Sequence, residues 1–166
     1  MSVAPLLLSL ALIIGGPVDP KDPFHVNLHQ LHQEEYAIII EAAKRNGIGT
    51  HDYDNLSILF AIRIAENGRK GREFGVLHPR ALGNDDESWE VTLDRQAGWC
   101  AATIMKNRKR WSASETKESF IVFLGKRYAP MGAGNDPTDL NRHWIGNVTR
   151  ESARYMAFAR RRPGVA

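Results

Sequence analysis

Hydrophobic positions recur at helical spacing in five stretches of this chain, and segments rich in glycine, proline, asparagine or aspartate separate them. Leu31, Ile38, Ile39 and Ala42 put an apolar side on a helix from Leu28 to Asn46, with Gly47 as its stop. A polar loop over 47–55 follows, in which Asp54 or Asn55 can cap the next helix. In that helix Leu56, Leu59, Phe60 and Ile64 share one face, and Ile58, Ile62 and Ala65 thicken it until the helix must be buried. It stops at Glu66, because Asn67-Gly68 can supply the left-handed residue that closes a helix at little steric cost. Ala97, Ala101, Ile104 and Met105 point inward from a helix over Asp94 to Trp111. Ser112 or Ser114 caps a fourth through about Arg127, with Phe120, Ile121 and Leu124 facing the core, and Thr149 to Arg160 forms the last. Residues 67–93 break the pattern, and within them Glu73–Leu77 and Trp89–Leu93 predict two short strands. The expected fold is mainly α (α+β), a helical body with a small β or irregular lobe inserted after the Glu66 helix.

The start of the chain reads differently. Leu6 to Ile14 is a nine-residue apolar run closed by Gly15-Gly16-Pro17. A bilayer needs about 20 such residues, so the run is too short to span one. Its length suits the apolar region of a signal peptide, although no Lys or Arg precedes it. Residues 1–23 are therefore set apart as an apolar leader, signal-like or membrane-touching, with a proline-punctuated linker, and residues 24–166 as one domain. Export to the periplasm or the outside, or association with a virion, is the expected localisation.

Composition changes the picture only slightly. The single cysteine, Cys100, excludes an internal disulfide, and its neighbours Ala97, Trp99, Ala101 and Ile104 suggest packing and not catalysis. A formal charge of +3 mildly favours an anionic partner such as a cell-wall polymer. Beyond Arg160-Arg161-Arg162, which suits a helix C-terminus, no basic face suggests nucleic acid. His25, His29 and His32 have helical spacing, but without a convincing fourth ligand they read as a surface cluster and not as a metal site.

Glu66 is the residue with the most chemistry in its setting. In the last turn of a buried helix its negative charge opposes the helix dipole and meets an apolar wall. Both effects raise a carboxyl pKa, as a general acid near neutral pH requires. An ordinary exposed Glu at a helix end is the plainer alternative. Retaining glycoside hydrolysis needs a second carboxyl about 5–5.5 Å away, and inverting hydrolysis one about 6.5–9.5 Å away. Glu73, beside Phe74, is the leading candidate for it, ahead of Asp85, Asp86, Glu87 and Glu90.

Three short patterns carry a family resemblance. Ala61-Ile-Arg-Ile-Ala-Glu66-Asn-Gly68, Phe74-Gly75-Val76-Leu77 and Tyr128-Ala129-Pro130 together resemble the lysozyme-like superfamily, nearest to goose-type lysozymes, lytic transglycosylases and related glucosaminidases. The resemblance covers residues 54 to 150. Glu66-Asn67-Gly68 stands where that group has Glu-Ser-Gly, Phe74-Gly-Val-Leu77 where it has Gly-Leu-Met-Gln, and Tyr128-Ala-Pro-Met-Gly-Ala-Gly where it has Tyr-Asn-Ala-Gly. The resemblance implies a lysozyme-like fold and cleavage of the β-1,4 glycan of peptidoglycan, with Glu66 protonating the glycosidic oxygen and Tyr128 bonding near the acid or the sugar. It also leaves open a mechanism with one Glu as acid and then base, the sugar's 6-hydroxyl closing an anhydro ring. Gly75, Gln96, Asn141 and Trp144 are the expected substrate contacts: Trp144 as an indole platform, Gln96 and Asn141 as partners for an N-acetyl group. Neither a metal nor an organic cofactor is expected, and the partner is an amino-sugar glycan met by a monomer. A non-catalytic wall-binding or structural (virion) module of the same fold is the rival reading.

Overall fold

The computed structural model describes residues 19–161, apart from 135 and 137. The apolar run of the leader and Arg162 lie outside the described residues. Among the described residues, five α-helices and one 3-10 turn make up the regular structure: α1 (Pro23–Arg45), α2 (Tyr53–Glu66), α3 (Trp89–Ser112), α4 (Phe120–Tyr128), the 3-10 turn Leu140–His143, and α5 (Trp144–Ala159). The body is α-rich, as expected, and the lobe after Glu66 is irregular, with no strand among the described residues.

Caps explain most departures from the expected boundaries. α1 begins five residues early because Pro23 occupies its first turn and the Asp22 carboxylate accepts from Phe24 N–H at 2.9 Å. A kink at Gln33 divides it. α2 is capped by Asp52, which accepts from Asn55 N–H, and not by Asp54 or Asn55. The expected strand at Trp89–Leu93 is instead the first turn of α3, because Ser88 takes the cap position and Glu90 suits the helix N-terminus. Ser119, and not Ser112 or Ser114, caps α4. Glu73–Leu77 has no strand partner. Its backbone groups pair with the side chain of Gln96, an amide standing in for a neighbouring strand.

α2 is the axis of the core. Every residue from Asn55 to Ile62 is buried, and the helix packs along α5, while α1 lies along α3. A hydroxyl pair, Ser57 and Ser152 at 2.9 Å, joins α2 to α5 inside this contact. Phe60 stacks near Tyr36 at 6.2 Å and meets Tyr155 edge-on at 6.4 Å, so α1, α2 and α5 share one aromatic cluster.

His25 and His32 correct the expectation of a surface cluster: both are buried. His25 Nε2 lies 2.7 Å from the Thr50 carbonyl, which can only accept, so Nε2 donates and Nδ1 receives the Tyr36 hydroxyl at 2.7 Å. His32 Nε2 sits 2.9 Å from the Tyr155 hydroxyl. Burial holds His25 below its ordinary pKa and lowers His32 to about 4, with Arg63 and Arg154 adding to the latter.

A stability profile follows from His32. The folded ring refuses a proton that the unfolded chain accepts below the ordinary value of 6.5. Its contribution is whole above pH 6.5 and drains away as the pH falls from 6.5 towards 4, by about 3 kcal/mol in all. Urea midpoints measured across that window should fall with pH, and His32→Gln should flatten the slope. Parallel profiles for the two proteins would exclude His32 as the cause.

Candidate active site

Glu66 is the final residue of α2, and Asn67 closes the helix in the left-handed conformation with φ 44°. The chain then doubles back. A Cβ on Gly68 would lie 1.8 Å from the Arg72 carbonyl oxygen, so only glycine fits there. The Arg72 carbonyl accepts from Gly75 N–H at 3.0 Å, and this turn brings Gly75 over the Glu66 carboxyl. Gly75 has φ +67°, and a Cβ on it would lie 2.1 Å from Glu66 Oε2.

The same carboxyl is gripped from the other end of the sequence. Trp144, the first residue of α5, donates its indole N–H to Glu66 Oε1 at 2.7 Å. Its ring stacks on Tyr128 at 5.3 Å, and Tyr128 donates its hydroxyl to the Phe74 carbonyl at 2.5 Å. Glu66 is half-buried, and burial raises its pKa while the Trp144 hydrogen bond opposes the rise. The outcome is a carboxyl that holds its proton to higher pH than a free one, at the junction of the helical body and the irregular lobe. Such a group can donate a proton to a substrate oxygen and take one back.

Glu66, Gly75, Tyr128 and Trp144 therefore come together, although Trp144 is only 5% exposed and is no open sugar platform. Gln96 is also at this place, but behind it. Its Oε1 receives Phe74 and Val76 N–H, both at 3.2 Å, and its Nε2 donates to the Val76 and Ala81 carbonyls, both at 2.9 Å. Fully buried and fully committed, it has nothing left for an N-acetyl group. Asn141 braces its own loop by donating to the Pro130 carbonyl.

Glu73 is the clearest correction. It is 0% exposed, and Oε1 receives Gly71 N–H at 2.9 Å and the Thr92 hydroxyl at 2.6 Å. A carboxylate sealed in this way cannot act on a sugar. Glu87 is held by Arg95, which pulls its pKa down to about 2. Cys100 is fully buried next to Tyr128, and burial pushes its thiol up to about 12, so it is no nucleophile. Among the described residues no cluster of three His, Cys, Asp or Glu side chains gathers as a metal site. No helix among them is long and apolar enough to cross a membrane.

Sequence reading missed Thr92 and the Phe74 carbonyl, because each is defined by a contact between distant segments, whereas the packed, non-catalytic reading of Cys100 agrees with its burial. No protein-family model, curated protein or solved structure matches this chain.

Proposed function

We propose that this protein cleaves the β-1,4 glycan of peptidoglycan, with Glu66 as the general acid. One observation carries the reading: a half-buried carboxyl ends a buried helix, one oxygen held by an indole N–H and the other facing a glycine backbone. That is an acid whose proton is retained and whose orientation is fixed. The lysozyme-like resemblance of residues 54 to 150 supplies the substrate class.

The sequestration of Glu73 favours a route with one carboxyl. Glu66 would protonate the bridging oxygen as the C1–O bond breaks. The resulting carboxylate would then take the proton of the sugar's own 6-hydroxyl as that oxygen bonds to C1, leaving an anhydro end and a reprotonated Glu66. Digestion of purified peptidoglycan followed by mass spectrometry of the fragments distinguishes the routes. Anhydro ends are expected, reducing ends would replace this route with hydrolysis, and no release at any pH would overturn the proposal.

Trp144→Phe gives a sharper test of the acid. Phenylalanine keeps a ring against Tyr128 but offers no donor, so the indole hydrogen bond that favours the charged Glu66 is lost. The alkaline limb of the pH–rate profile should move to higher pH. kcat should fall by about ten- to a hundredfold, the scale of one hydrogen bond to a charged group. An unmoved limb would separate Trp144 from the proton transfer.

A further inference from the structure

The loop after Glu66 has a second feature that bond cleavage leaves unused. Arg69, Lys70 and Arg72 stand exposed around a pocket of about 400 Å³. Gly71 and Gly83 form its floor and are locked together: Gly83 N–H donates to the Gly71 carbonyl at 3.3 Å, and a Cβ on Gly71, at φ +82°, would lie 3.1 Å from Gly83 N. Beneath them the buried Glu73 carboxylate takes Gly71 N–H and the Thr92 hydroxyl, so the floor is anchored to α3. Lys70 donates to the Asp85 carbonyl at 2.8 Å, which fixes its ammonium on the rim. Neither Arg69 nor Arg72 has a carboxylate partner among the described residues. Asp85 is the only acid among the described residues that lines the pocket.

We propose that this pocket binds an anionic oxygen group carried by the wall polymer, a stem-peptide carboxylate, and so selects peptide-bearing glycan over bare glycan. The proposal rests on the peptidoglycan reading of the Glu66 site. Exposed cations around a rigid backbone floor suit a carboxylate or a phosphodiester, and would repel a cationic ligand. The coupling to the acid is short. Arg72 both lines the pocket and lends the carbonyl that holds Gly75 against Glu66, so one loop joins the anion contact to the cover of the proton donor.

The test compares wild type with the Arg69→Gln/Arg72→Gln double variant on three substrates: intact sacculi, sacculi stripped of stem peptides by an amidase, and sacculi freed of phosphodiester polymers by acid. Wild type should favour peptide-bearing over stripped glycan by about tenfold in kcat/KM. The double variant, which leaves the Arg72 carbonyl in place, should lose that preference through KM. A preference that vanishes with the phosphodiester polymers would support the anion pocket and assign it that second source. Equal rates of wild type on all three substrates, or a variant equally impaired on all, would overturn it. Co-sedimentation of the same proteins with the same substrates separates this outcome from failure of the cleavage reading. Binding that depends on Arg69 and Arg72 without any release of fragments would keep the pocket and refute the enzyme.

Discussion

Glu66→Gln is expected to lower glycan cleavage by about 10²- to 10⁴-fold, the usual contribution of a positioned acid, with the fold intact. Glutamine has nearly the shape of glutamate, and its carbonyl oxygen can still accept the Trp144 indole N–H that now reaches Oε1. What it lacks is a proton to give. The variant should also be no less stable than wild type at alkaline pH. Burial raises the folded-state pKa of Glu66, so the protonated group's contribution is fully present below the ordinary value of 4.5 and is lost as the pH rises through the folded value. Glutamine has no such loss. Higher stability with lower activity is the mark of a group kept in an unfavourable setting for its chemistry. Fragment release and urea midpoints on the two proteins check both halves. A wild-type rate in the variant would remove Glu66 from the mechanism. Wall binding by both proteins, with no release by either, would favour the non-catalytic module.

Gln96→Leu should cost about 3–5 kcal/mol of folding stability, one of the largest effects available to a single substitution here. Four backbone groups depend on this one amide: the N–H groups of Phe74 and Val76 and the carbonyls of Val76 and Ala81. Leucine fills similar space and satisfies none of them, and several lie where water does not reach. Gln96→Glu keeps the acceptor for the two N–H groups but loses the donor, and should fall between the two. Because the Phe74 carbonyl receives Tyr128 and Gly75 covers Glu66, loosening this turn should also lower activity. Denaturant titration and amide exchange over residues 73–76 provide the readouts. Wild-type stability in Gln96→Leu would show that the turn holds itself.

The parts of this architecture that depend on local patterning could be read from the chain. The apolar run from Leu56 to Ala65 marks α2 as buried, and Glu66 falls at its end because Asn67-Gly68 supplies the stop. Capping was less legible, since Asp52, Asp54 and Asn55 are all suitable residues and only the path of the preceding loop selects Asp52. The histidines were legible in principle: His25, Leu28, His32, Tyr36 and Ile39 share one helical stripe, and all are buried. They were misread because polarity suggested the surface, while hydroxyl and carbonyl partners on other segments make burial tolerable. The site itself was legible only in its inventory. That Trp144 grips Glu66 across 78 residues, and that Gln96 knits a turn about 20 residues away, depends on how helices pack, which no local spacing encodes.

The enclosed Cys100 turns the protein into its own reporter. As the one thiol in the chain, wholly out of solvent at the back of Tyr128, it is silent to an alkylating reagent while the molecule is closed. Its modification rate therefore clocks how often the wall behind Glu66 swings open. A bound glycan that braces that wall should slow the clock, with no label or probe added to the chain.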